Sequence, residues 1–274
     1  MSLGFSINVR VGLWLDDLQM GVKEALNAAL PLKPEAAGLD AFSATINARS
    51  LGDSGRRDLS HFIRSRGVTL VAFRADVGGR RLTDPKYLDV NLTRLREALE
   101  LAESCGAEHL VVPAGFVPAA DDKNEATART TLSEAARSLI AMTSNTRVRI
   151  AWQAGSESPE TLAAFLAEVD NAGLFELDLN PGGLVMRAHD PLKAMNSLGS
   201  RVGIITAIDH YRGGGEAVFG QGDVRWGEVF VGLSGLQRRT PFNVLAGCRV
   251  DGDRLAMMSK AVGRLGQLRA NPLG

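Results

Sequence analysis

The chain of 274 residues has only two cysteines, Cys105 and Cys248, far apart and without Cys-x-x-Cys spacing. That excludes a disulfide framework and a paired-thiol metal or redox motif. It implies reduced thiols and a cytoplasmic location. Cys105 falls at the end of a predicted helix, where it reads as a small buried hydrophobe. Neither charge is in excess, since 31 Lys and Arg balance 31 Asp and Glu. Without a net field to gather polyanions, nucleic acid is not an expected partner, and Arg238-Arg239 is too short for a basic patch. No apolar run approaches the roughly 18 residues of a membrane span, so no membrane is expected. Residues 1–6 lack the basic region and apolar core of a secretory leader. Histidine is scarce, four in all. Of these, His61 on a predicted helix, His109 at a strand start and His189 before a helix cap read as structural or surface residues.

What the chain does have is regular alternation. Short apolar runs at 9–15, 38–43, 68–74, 109–113, 149–153, 175–179, 203–208 and 242–246 have the length and composition of strands buried on both faces. Amphipathic stretches lie between them. Asp84-Pro85, Ser158-Pro159 and Asp190-Pro191 each place a capping side chain before a Pro at the first helical position. Leu88, Leu92, Leu95, Leu99 and Ala102 follow helical spacing within 87–104, and Gly106 stops that helix. The weakest unit is the seventh, where 212–222 contains five glycines and only a short helix can follow. Eight βα units with no linker or low-complexity tract predict an α/β fold, a (β/α)₈ barrel forming one domain over 1–274. Function then collects where strands end and βα loops begin.

Particular residues at those ends resemble a known group. Asp178-Leu179-Asn180-Pro181-Gly182-Gly183, the second-strand pattern Gly38-Leu39-Asp40-Ala41 and Thr206-Ala207-Ile208-Asp209 resemble the xylose-isomerase-like barrels. That superfamily includes sugar isomerases, epimerases and endonuclease-IV-type repair enzymes. The similarity covers most of the chain and is strongest over 87–212. It implies a TIM barrel and a sugar-like ligand. In metal-dependent members it also implies one divalent cation, held by Glu, Asp, His and Glu at the ends of strands five to eight. Here those places are read as Gln153, Asn180, Thr206 and Leu245. Amide, hydroxyl and apolar groups are poor ligands for such a cation, so neither a metal nor another cofactor is expected. The repair-enzyme chemistry needs a cluster of His and carboxylate ligands, and none of the four histidines is in place for it.

The remaining polar groups define the candidates. Asp209 and His210, directly after the seventh strand, could act as an acid–base pair near neutral pH. Arg74 and Asp76 after the third strand could bind a ligand oxygen or brace each other. Gln153, Asn180, Thr206 and Arg212 complete the expected ligand-binding set. Asp16-Asp17 is expected to cap the first helix. Trp152 could stack on a sugar, or pack against the helix layer. Gly213-Gly214-Gly215 lacks the Lys-Ser/Thr of a P-loop and reads as a flexible loop. Two readings stay open: a barrel that binds a sugar or related metabolite, and a metal-independent isomerase, epimerase or lyase using Asp209 and His210.

Overall fold

The structure, a computed structural model, describes residues 7–77, 81–120, 122–154, 157–236 and 238–272. The leader reading of residues 1–6 falls outside them. Eight parallel strands close into a barrel. They are β1 (Val9–Trp14), β2 (Ala36–Asp40), β3 (Thr69–Arg74), β4 (His109–Val112), β5 (Arg149–Ala154), β6 (Glu176–Leu179), β7 (Val202–Ala207) and β10 (Phe242–Ala246). β1 pairs with both β2 and β10, which closes the ring. A two-residue hairpin, β8 (Asp209–His210) and β9 (Glu216–Ala217), stands after β7.

The helices follow from their caps. Asp84, Ser158 and Asp190 each accept a backbone N–H at a helical N-terminus, as their Pro-flanked positions predict. They open the turn leading into α3 (Leu88–Cys105), α5 (Pro159–Val169) and α7 (Pro191–Leu198). Gly106, with φ at 72°, ends α3 in the left-handed conformation. The other helices are α1 (Val22–Ala29), α2 (Asp53–Arg64), α4 (Ala126–Thr143), α6 (Pro181–Met186), α8 (Trp226–Gly235) and α9 (Arg254–Ala270). None is long and apolar enough to cross a membrane among the described residues.

Two expectations are corrected. β2 ends at Asp40, before 43, because the Ser43 hydroxyl accepts the Ile46 N–H and turns the chain out of the sheet. Asp16 and Asp17 cap no helix. The chain after β1 makes a single 3-10 turn, Leu15–Leu18, and α1 starts later behind Gly21.

Packing divides into two layers. The outer faces of the strands bury a continuous core under the helices; Trp152 belongs there, against Phe165 and Phe175 at 5.7 and 5.5 Å, so it is a packing residue. The lumen is filled by a smaller cluster of Trp14, Ala36, Val71, Ala72, Val111, Ala151, Ile204 and Leu245. One large ring fits inside because its neighbours are small. Gly38 is part of that fit, since a β-carbon there would run into the Trp14 ring and Leu245.

The N-terminal end of the barrel is closed by ion pairs. Glu176 takes His109 at 2.8 Å, Arg149 at 2.7 Å and Arg238 at 2.8 Å, while Arg10 pairs with Glu108 at 2.9 Å. Burial alone would raise the Glu176 pKa, but His109 and Arg238 outweigh it and hold the carboxyl at about 2, below its ordinary value of 4.5. A depressed carboxylate contributes stability above its unfolded pKa and loses it as pH falls through the folded one. Wild-type unfolding free energy, measured by urea titration, is therefore expected to fall between pH 4.5 and about 2. Glu176→Gln should be less stable at pH 7 and lack that part of the pH dependence. An unchanged pH profile in the variant would contradict the assignment.

Candidate functional site

The C-terminal strand ends converge on Trp14. Its indole N–H donates to the Thr206 hydroxyl at 3.2 Å, and that hydroxyl donates to Asp178 Oδ2 at 2.9 Å. The Gln153 amide donates to the same oxygen at 2.9 Å, across the β5–β6 register that sets Gln153 beside Asp178. Asp178 has no solvent exposure, and burial pushes its pKa up against the opposing effects of Gln153, Thr206 and Arg74. Among the described residues its second oxygen, Oδ1, has no hydrogen-bond partner.

This geometry corrects the reading of strand six. The inward residue is Asp178, whereas Asn180 caps α6 by accepting the Gly183 N–H at 2.9 Å. The four strand-end positions are therefore Gln153, Asp178, Thr206 and Leu245. Among the described residues no group of three or more His, Cys, Asp or Glu is arranged to hold a metal ion.

A second cluster surrounds Arg74, which is 5% exposed. Its Nε and Nη2 donate to Asp40 at 2.6 and 3.1 Å, and Nη2 also donates to Asp17 at 3.0 Å. The guanidinium lies over the Trp14 ring at 4.8 Å, and Nη1 has no hydrogen-bond partner among the described residues. Burial works against the Arg74 charge, but Asp17 and Asp40 more than compensate, so it stays protonated. The expected brace between Arg74 and Asp76 is replaced by these two contacts, and Asp76 stands at the surface. Asp16 joins the cluster by accepting the Asp40 N–H at 2.7 Å. Burial first, and the Asp40 charge next, raise its pKa to about 6 against that hydrogen bond.

The β7 loop parts the expected acid–base pair. Asp209 is 1% exposed and accepts five donors: the N–H groups of His210, Gly220, Gly222 and Val224, and the Trp226 indole. Both oxygens are committed to organising the 219–226 loop. The half-buried His210 ring faces Gly182, where a β-carbon would collide with Nδ1, and Nδ1 is unpartnered. Burial lowers the His210 pKa despite Glu216 and Asp209, which favours the neutral ring. Arg212 is exposed; its backbone N–H meets Asp223, and its side chain borders a cavity of about 170 Å³ with Asp190 and Arg225. Structure thus brings Arg74, Gln153 and Thr206 together around Trp14 and Asp178, while Asn180, Asp209 and Arg212 serve the surrounding loops.

A wider groove of about 700 Å³, lined by Arg10, Lys33, Glu35, Arg66 and Arg269, lies at the opposite end of the barrel. Its arginines are occupied by Glu108, Glu35, Asn27 and the Phe62 ring. The strand C-termini, with their unpartnered polar atoms, are the better candidate site.

A profile of the family described as xylose isomerase-like TIM barrel matches residues 34–243. Among curated proteins none matches the chain. A xylose isomerase domain protein from Planctomyces limnophilus superposes with a TM-score of 0.82 at 17% identity, covering 96% of this chain and 98% of the other. A D-tagatose 3-epimerase-like protein follows at 0.78 and 14%, again covering 96% and 98%. D-psicose 3-epimerase from Clostridium cellulolyticum H10, solved with D-tagatose, gives 0.70 and 13%, covering 96% and 95%. At these identities the superpositions establish a shared fold.

Asp209→Asn tests the loop role. One oxygen would become an NH₂ facing N–H donors, and leaving such groups unsatisfied costs on the order of 1–3 kcal/mol. Urea unfolding should record a loss of that size, with faster amide exchange at Gly220, Gly222 and Val224. Unchanged stability and exchange would show that the carboxylate does not hold this loop.

Proposed function

Because the chain belongs to the xylose isomerase-like TIM-barrel family, we propose that its barrel mouth binds a neutral sugar or related polyol without a divalent cation. The observation carrying this reading is the donor set Gln153, Asp178, Thr206 and Leu245. It offers one carboxylate, one carboxamide, one hydroxyl and one hydrocarbon. Such a set does not fit a divalent cation, whose lost hydration must be replaced by several hard anionic or imidazole ligands. The one carboxylate already receives hydrogen bonds from Gln153 and Thr206. The same polar groups suit hydroxyls, which donate and accept.

Charge supports a neutral ligand. Among the described residues Asp16, Asp17, Asp40 and Asp178 gather around the Arg74 guanidinium, and Arg254 reaches only the Asp17 carbonyl, so a phosphate would meet a cluster of carboxyl groups. Two structural neighbours support this ligand class: one epimerase of this fold was solved with D-tagatose and another with D-allulose. A binding role accounts for Asp209 being committed to its loop. A metal-independent epimerase or isomerase is the second reading, favoured by Asp16, whose pKa of about 6 suits proton transfer near neutral pH.

Protein dialysed without chelator should carry no stoichiometric Mn, Mg, Zn or Co by elemental analysis. Calorimetry at fixed salt should favour the neutral member of a matched sugar and phosphosugar pair. One tightly held metal per chain, or preference for the phosphosugar, would overturn the reading. Epimerisation of a ketose in chelator, lost in Asp16→Asn, would select the second one.

A further inference from the structure

The groove at the N-terminal end of the barrel, about 700 Å³ in volume, carries unbalanced charge. It lies across the starts of β10, β1, β2 and β3, where Arg10, Lys33, Glu35, Arg66 and Arg269 line it. Glu35 takes Arg269 at 2.7 Å, and Glu108 takes Arg10 at 2.9 Å. Arg66 donates only to neutral oxygens among the described residues, those of Asn27, Phe62 and Ser65. Lys33 is exposed and has no ion-pair partner among the described residues. Four cations there meet two carboxylates, an excess of two positive charges. Glu35 registers that field: burial works to raise its pKa, but Arg269, the Val11 N–H and Arg10 hold it below the ordinary carboxylate range.

Two further features belong to the same place. Lys33 holds φ at 53° after the Leu30–Leu32 turn, in the left-handed region that favours Gly or Asn. A lysine at that position keeps a charge in the groove at a conformational cost. Arg10 and Arg269 make their contacts through Nη1, and Arg66 through Nε and Nη1. Nη2 of each is therefore uncommitted among the described residues and keeps two donors.

We propose that this groove binds the dianionic phosphate of a small phosphomonoester, whose organic part lies against Leu30, Pro34 and Val68. A phosphate carries close to two negative charges above its second pKa of about 6, which matches the excess. Guanidinium forks meet its oxygens through paired N–H donors, and the Lys33 ammonium adds a point charge. A carboxylate or a sulfate ester brings one charge and leaves the other unmatched. The volume falls within the range of about 300–1,000 Å³ typical of small organic ligands, which a bare phosphate ion would leave mostly empty. The excess is local in a chain with no net charge, so a nucleic acid has no wider field to follow. This site is at the opposite end of the barrel from Trp14 and Asp178 and is independent of the sugar proposed there.

Calorimetry of the full chain at pH 8 and low salt, with phenyl phosphate, inorganic phosphate and phenyl sulfate as probes, tests the proposal. One saturable site is expected, tightest for phenyl phosphate and weakest for phenyl sulfate. Lys33→Gly removes the charge and suits the left-handed backbone, so it should fold as wild type and weaken phenyl phosphate about fivefold. Adding Arg66→Gln should bring the loss to roughly tenfold or more. Lys193→Ala removes an exposed charge on α7 and should change affinity less than twofold. Backbone amide shifts on titration should move at Lys33, Glu35 and Gly67. No saturable site in wild type, equal affinity for phenyl sulfate, or an equal loss in Lys193→Ala would overturn the proposal. So would amide shifts confined to Gln153 and Thr206 at the mouth. The sugar and phosphosugar comparison at the mouth is run on the double variant, where this groove is disabled, so the two claims fail separately.

Discussion

One indole inside a closed parallel barrel governs this molecule's candidate site. Trp14 shares the lumen with Ala36, Ala72 and Ala151, and Gly38 leaves its ring the space it needs. A barrel interior is a packed core, so a ring of this size must be matched by small residues opposite. The indole also brings a polar edge, and its N–H needs a partner in a dry interior. Thr206 supplies that partner and passes the hydrogen bond to Asp178. Packing in the lumen and chemistry at the mouth are therefore one arrangement: moving the ring would leave Thr206 and Asp178 to rearrange with it.

The two ends of the barrel use charge differently. At the N-terminal end Glu176 is held by Arg149, Arg238 and the His109 ring, with a pKa of about 2. That end is a brace. At the C-terminal end Asp17 and Asp40 share the Arg74 guanidinium, Asp16 is raised to about 6, and Asp178 is raised by burial. Excess acid around one guanidinium, with unpartnered atoms on both Arg74 and Asp178, is what a site for neutral hydroxyl groups would need. Asp209 shows why proximity in sequence is a poor guide to chemistry. It stands next to His210, yet its oxygens are taken by a loop folded back over the hairpin.

Much of the fold was legible because parallel strands buried on both faces leave apolar runs, and Pro-flanked caps mark helix starts. Predicted strand limits differ from the observed ones by at most three residues, not at all for β10 and most at β2, where Ser43 turns the chain. The site was less legible because Asp178 and Asn180 share one strand phase, and only the end of β6 at Leu179 separates an inward side chain from a helix cap. The Pro181-Gly182 match drew attention to Asn180, but two residues earlier Asp178 points inward while Asn180 caps a helix. Arg74 was singled out correctly as a strand-end group, but its partners Asp17 and Asp40 come from distant parts of the chain. Nothing in the local sequence distinguishes Trp14, inside the lumen, from Trp152, packed outside it against Phe165. Only closure of the barrel makes the difference.

Whether the strand-end set built on Trp14, Thr206 and Asp178 holds a divalent cation decides the proposed function. Titration of Mn²⁺ into the full chain, followed by the electron paramagnetic resonance signal of the free ion, tests it most directly. For a metal-free site the free-ion signal is expected to grow in proportion to the Mn²⁺ added, with no saturable site. Loss of one equivalent of signal per chain, restored by adding Mg²⁺ as a competitor and abolished by Asp178→Asn, would contradict it.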